Sequence, residues 1–148
     1  MSCRTRGVVV ICLVSLVGCS SPDLPSISEP DAKACTELAA ALPESVDGED
    51  LSTDGDRSAS WGDIELTCGA EMPAAYDDFA FCSEVAGVGW FLPPVELRDP
   101  TSQIVATALT HTPRISVLIP PAHRGTDAVL AEISPVIGKT LTERTPCL

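Results

Sequence analysis

The chain has 148 residues, with 9 Lys and Arg against 21 Asp and Glu, a formal net charge of −12, and only 4% aromatic residues. That length fits one compact domain, and the acidic balance argues against a nucleic-acid partner, because phosphate contacts need a basic surface. A hydrophobic fraction of 45% is too high for a disordered chain; after the N-terminal segment no apolar run approaches the roughly 20 residues of a helical span, which excludes a helical channel or transporter.

Arg4 and Arg6 precede an apolar run from Gly7 to Gly18, and Cys19 follows. A basic start and about a dozen apolar residues are the first two regions of an export signal, and a dozen is short of a membrane span. Leu16-Val17-Gly18-Cys19 resembles the bacterial lipobox, in which a small residue precedes the cysteine that is cut and acylated. The resemblance implies a signal peptide over residues 1–18, lipidation of Cys19 (diacylglycerol with palmitate-type chains), and a place at the extracytoplasmic face of the cell membrane. Two or more acyl chains hold a protein stably, since each buried methylene contributes about 0.8 kcal/mol. Cleavage removes two arginines and no acid, leaving 7 basic and 21 acidic side chains and a net charge of −14. Such a body is expected to stand off an anionic leaflet. Residues 19–28, rich in Ser and Pro, read as a flexible tether to a single domain over 29–148.

Ser28-Glu29-Pro30-Asp31 has the form of a capping box with Pro in the first turn, and predicts a helix that must stop near Leu42, ahead of Pro43. Val46 to Ser60 is acidic and poor in apolar residues and reads as an exposed loop. Strict alternation from Ile64 to Cys68 predicts a strand that buries Ile64, Leu66 and Cys68. After a loop at Met72–Asp78, Phe81–Val85 and Val88–Leu92 read as strands around an Ala86-Gly87 turn. Pro93-Pro94 breaks the sheet. Gln103–Leu109 and Arg114–Ile119 read as a hairpin with Thr110–Pro113 between them. Thr126 then caps a helix with Val129, Ile133, Val136 and Ile137 on one face, kinked or broken at Pro135. The order predicts an α+β fold: an antiparallel sheet of about five strands flanked by an N-terminal and a C-terminal helix.

Four cysteines remain after Cys3, Cys12 and Cys19 are set aside: Cys35, Cys68, Cys82 and Cys147. An even number in an exported chain reads as disulfides, with three possible connectivities. Cys35 shares a helical stripe with Leu38 and Leu42. If that stripe packs on the buried face of the Ile64–Cys68 strand, Cys35 meets Cys68 and Cys82 is left for Cys147.

Ala34-Cys35, Leu42-Pro43, Trp61-Gly62-Asp63, Cys68-Gly69, Val88-Gly89-Trp90-Phe91 and Val117-Leu118-Ile119-Pro120 occur in an order that resembles a family of small actinobacterial lipoproteins, domain of unknown function 3515. The resemblance runs from Ala34 to about Ile137 and implies an envelope protein; it brings no activity. One departure is Thr67, where the family pattern implies a basic residue before the Cys-Gly pair.

The sequence contains no G-x-S-x-G, S-x-x-K, H-E-x-x-H, P-loop or dinucleotide motif. The two histidines, His111 and His123, read as solvated loop residues at opposite ends of the last strand, roughly 20 Å apart. The acidic stretch Asp47–Asp56 is the best calcium candidate, but aligned on an EF-hand loop it puts Trp61 where the bidentate Glu belongs. No catalytic residue, metal or cofactor is therefore expected. Trp61 and Trp90, each beside a glycine, are the candidates for lining a ligand pocket. The leading expectation is a non-catalytic envelope lipoprotein acting through protein or glycan contacts. The alternatives are a small-ligand module with a Trp-lined pocket and, behind it, a hydrolase with two facing carboxylates.

Overall fold

The computed structural model describes residues 24–53 and 55–147; the signal segment and Cys19 lie outside the described residues. Helix α1 spans Glu29–Ala41. Ser28 caps it as expected: its Oγ accepts from the Asp31 N–H (3.2 Å) and its hydroxyl donates to the Asp31 carboxylate (2.7 Å). The chain turns extended at Leu42, ahead of Pro43.

The segment expected to be an acidic loop is instead three strands: β1 (Ser45–Val46), β2 (Glu49–Thr53) and β3 (Ser58–Trp61). β2 exposes four of its five residues, so it has no apolar face to announce it; backbone pairing with β3 (Leu51 opposite Trp61) holds it. Asp47 and Gly48 both have positive φ, 49° and 82°, the type I′ geometry that Asp-Gly favours between strands. β4 (Ile64–Cys68) buries Ile64, Leu66 and Cys68 as the alternation predicts.

β5 (Ser83–Val85) and β6 (Val88–Phe91) pair around Ala86-Gly87, whose φ values are 47° and 83°. After Pro93 the chain forms a short helix, α2 (Pro94–Arg98), rather than a simple break, because a proline at the first helical position has no N–H to leave unpaired. The Arg124 guanidinium gathers the carbonyls of Glu96, Leu97, Asp99 and Ser102 beneath it. At the following turn the Asp99 carboxylate accepts from the Thr101 hydroxyl and N–H and the Ser102 hydroxyl, which holds its pKa down at about 2.

β7 (Ile104–Ala108) and β9 (Ile115–Ile119) form the expected antiparallel pair. Between them β8 (His111–Thr112) pairs with β10 (Thr142–Glu143) near the C-terminus. A 3-10 turn at Pro121–His123 leads to α3 (Thr126–Thr140). Gly125, not Thr126, is the N-cap residue of α3, and its carbonyl accepts from Ala128 and Val129. Pro135 neither breaks nor ends α3. It sits on the exposed side and removes one backbone bond, while Ile133, Ser134 and Ile137 are buried on the other side.

Among the described residues the main sheet has eight strands rather than about five, in the order β1-β2-β3-β4-β9-β7-β6-β5, antiparallel throughout. Ala59, Leu66, Val117 and Ala106 align across four strands as one buried row. α1 and α3 pack on each other and share one core with that face, whereas Glu65 and Leu118 on the other face are not buried. A disulfide between Cys35 on α1 and Cys68 on β4 joins the layers.

Candidate functional site

β4 and β9 are the two central strands of the sheet, and their termini define two ends of the domain. At one end, after Cys68 and before Ile115, lies a groove of about 1100 Å³. Its walls are the chain entering α1, the segment from Gly69 to Cys82, the β7–β9 connection, and the tail. The tail is tied down by β10 and by the Arg144 N–H, which donates to the Thr110 carbonyl. The Cys82–Cys147 disulfide lines the groove and joins the tail to the segment that ends at Cys82.

The staple sets a steric condition on β6. Gly89 lies directly beneath it, and a methyl at this position would overlap both sulfurs and the Thr110 side chain, with Cys82 Sγ at 2.6 Å. The Gly89 N–H is also committed, donating to Thr110 Oγ1 at 2.9 Å. Gly89→Ala is therefore expected to cost about 1–3 kcal/mol through overpacking. Cys82 and Cys147 should become reducible at lower thiol concentration, while Cys35–Cys68 does not change; denaturant melts and thiol titration check both.

The lip of the groove is aromatic. Phe79 and Phe81 are 92% and 88% exposed, in a chain with only three phenylalanines. Tyr76 packs edge-on against buried Phe91, with ring centroids 5.5 Å apart, which anchors the loop that carries them. Arg57 fixes the entering chain: it donates to the carbonyls of Cys68 (3.0 Å), Gly69 (3.2 Å) and Pro25 (2.9 Å). Of the tether residues, those from Leu24 to Ser28 are described, and Ile27 packs against the core.

At the other end the His123 ring bridges two turns. Nδ1 lies 2.6 Å from Asp47 Oδ2 and Nε2 lies 2.7 Å from Asp63 Oδ1. Glu132 on α3 accepts from the Asp47 N–H. The side chain of His123 is 12% exposed, so it is not the solvated loop residue the sequence suggested. With both nitrogens engaged, it pins the β1–β2 turn, the β3–β4 turn and the start of α3 together. The hydrogen bond to Asp47 foremost, then that to Asp63, raises its pKa above the ordinary imidazole value.

His111 is also not solvated. It is 6% exposed, with Nδ1 2.9 Å from Thr110 Oγ1. Burial pushes its pKa down, against the charge of Glu143. The two histidines therefore act on stability with opposite signs. His123 contributes fully below about pH 6.5 and loses that contribution as pH rises through its folded value. His111 contributes fully above about pH 6.5 and loses that contribution as pH falls through its folded value. Thermal unfolding across about pH 5–8 is expected to show a maximum between the two limbs. His123→Gln should flatten the alkaline limb and His111→Gln the acid limb.

Trp61 and Trp90 line neither end. Both are fully buried; the Trp61 Nε1–H donates to the Pro43 carbonyl (2.9 Å) and the Trp90 Nε1–H to Ser134 Oγ (3.0 Å). The two indoles bolt the sheet to the end of α1 and to α3. The calcium alignment also changes meaning, since Asp50 and Ser52 belong to β2, and among the described residues no group of three or more His, Cys, Asp or Glu side chains could hold a metal ion. The features the sequence reading missed are the Phe79–Phe81 lip, the Arg57 clamp and the Asp47–His123–Asp63 bridge. The clamp and the bridge join residues distant in sequence, whereas the lip is local, and its two phenylalanines amid acidic residues are the one signal visible in the sequence.

A family model described as "Protein of unknown function (DUF3515)" matches residues 7–146. No curated protein and no solved structure matches the chain.

Proposed function

The chain belongs to the DUF3515 family, and from that premise we propose that it is a lipid-anchored envelope protein. In this reading Cys19 holds it at the extracytoplasmic face of an actinobacterial cell membrane, and it acts by protein or glycan contacts rather than by catalysis. The observation that carries the reading is the state of the cysteines. All four between Leu24 and Cys147 are joined in two bridges, a state that persists in oxidising compartments and is rare where thiols are kept reduced. The lipobox-like Leu16-Val17-Gly18-Cys19 supplies a matching address.

Contact rather than chemistry is supported by the engagement of the reactive groups. A general base needs a free nitrogen; both nitrogens of His123 are taken, and His111 is buried against Thr110. The facing carboxylates Asp47 and Asp63, which a hydrolase would use, are spanned by the same imidazole. A ligand pocket built on Trp61 or Trp90 has less support, since both indoles face the core.

The test compares the intact chain with Cys19→Ala in cells of the source type, by fractionation and by capture from solubilised membranes. The intact chain is expected in the membrane fraction together with an envelope protein or wall glycan, and Cys19→Ala is expected to be released and to lose that companion. Identical fractionation of the two chains, or alkylation of Cys35, Cys68, Cys82 and Cys147 before reduction, would overturn the reading.

A further inference from the structure

We infer that the aromatic lip of the groove rests on the lipid bilayer that holds the chain's own anchor, and so decides which end of the domain faces outward. The inference deepens the proposed function and rests on acylation of Cys19.

Pro25 is the sixth residue beyond Cys19, and at about 3.6 Å per residue the connection spans at most roughly 20 Å. The far end of that connection is fixed on the domain, because Arg57 holds the Pro25 carbonyl (2.9 Å). Ile27 presses so closely on Gly69 that a methyl there would lie 2.7 Å from its Cγ2. An acyl chain in the bilayer therefore tethers the domain by its groove end, and the His123 end lies at the opposite ends of β4 and β9.

Exposed apolar side chains stand at that end. Pro25 and Ile27 line the same groove as Phe79, Phe81 and Met72, and these three are exposed by 92%, 88% and 41%. Large apolar side chains left in water beside a membrane anchor match the interfacial zone, where aromatic rings settle at headgroup level. Tethering raises the local concentration of bilayer at the lip, so weak apolar contact is enough to orient the body.

Charge selects the kind of surface. Asp77 and Asp78 adjoin the lip, Arg114 and Arg144 line the groove, and the mature chain is net acidic. No basic patch stands there to seek an anionic leaflet. Contact at the lip is apolar, made against the repulsion that holds the rest of an acidic body off an anionic leaflet, and is strongest at a zwitterionic interface. In that pose the Asp47–His123–Asp63 end, beyond β4 and β9, points away from the membrane, where protein or glycan contacts take place.

The test uses the full acylated chain, carrying Phe79→Trp or Phe81→Trp, in phosphatidylcholine vesicles with and without bromine on the acyl chains. Both positions are exposed, so neither change disturbs the core, and the emission of Trp61 and Trp90 is subtracted with the unsubstituted chain. The expected result is a blue-shifted extra emission that the brominated lipid largely quenches and that weakens as anionic lipid is added. A chain that floats with the vesicles but shows water-like, unquenched emission overturns the lip contact and leaves the anchor standing. Blue-shifted emission without bromine quenching, with dimers on cross-linking, assigns the lip to a second copy and also overturns it. Failure to float, with Cys19 unmodified by mass, overturns the anchor itself.

Discussion

Replacing Cys35 and Cys68 together by alanine is expected to lower the unfolding free energy by about 3–4 kcal/mol. The bridge closes a segment with a sequence separation of 33, and loop-closure entropy in the unfolded chain accounts for most of the loss. Both residues are fully buried between α1 and β4, so the layers also lose packing at the joint. Because the released chain expands on unfolding, the denaturant slope should rise together with the fall in midpoint. Equilibrium urea melts of the oxidised parent and the double variant read both quantities. Removing Cys82 and Cys147 should act differently. Their loop is longer, at a separation of 65, but the tail they hold is also held by β8–β10 pairing, and its loosening should appear first as proteolysis after Leu141.

Trp90→Ala is expected to cost about 3–5 kcal/mol, the range for emptying a large aromatic site in a packed core. The indole is fully buried, and its N–H is satisfied only by Ser134 Oγ at 3.0 Å on α3, itself at 0% exposure. Ser134→Ala should therefore cost about 1–3 kcal/mol although it removes a single oxygen, because it strands a buried donor. Trp90→Phe keeps most of the ring and removes the donor, so adding Ser134→Ala to it should cost much less than Ser134→Ala alone. That coupling, read from a double-mutant cycle of denaturant melts, separates the hydrogen bond from the volume. Additive losses would show that the two side chains act independently.

The residues differ in how openly they declare their place. Ile64–Cys68 and Ile115–Ile119 alternate cleanly and lie in the sheet as read, and Ser28 starts α1 where the capping pattern puts it. The stripe of Cys35, Leu38 and Leu42 packs where the periodicity pointed, and Cys35 meets Cys68. β2 escaped because hydrophobic periodicity detects half-buried strands, and Glu49–Thr53 is exposed almost throughout. Asp47-Gly48 is nonetheless a hairpin signal set within the acidic run. α2 and β8 are short elements held by tertiary partners, Arg124 and β10. The His123 bridge joins residues 76 and 60 positions apart; no local pattern encodes such a meeting. Tryptophan beside glycine proved ambiguous for the same reason, since only the fold decides whether a flat ring faces a cleft or a core.

The most direct measurement is non-reducing mass spectrometry of the protein extracted from membranes of the source cells. The expected result is an N-terminal peptide that begins at Cys19 and carries a diacylglycerol, together with linked peptides joining Cys35 to Cys68 and Cys82 to Cys147. A peptide running unbroken through Val17-Gly18-Cys19-Ser20, with its sulfur bare, would contradict it.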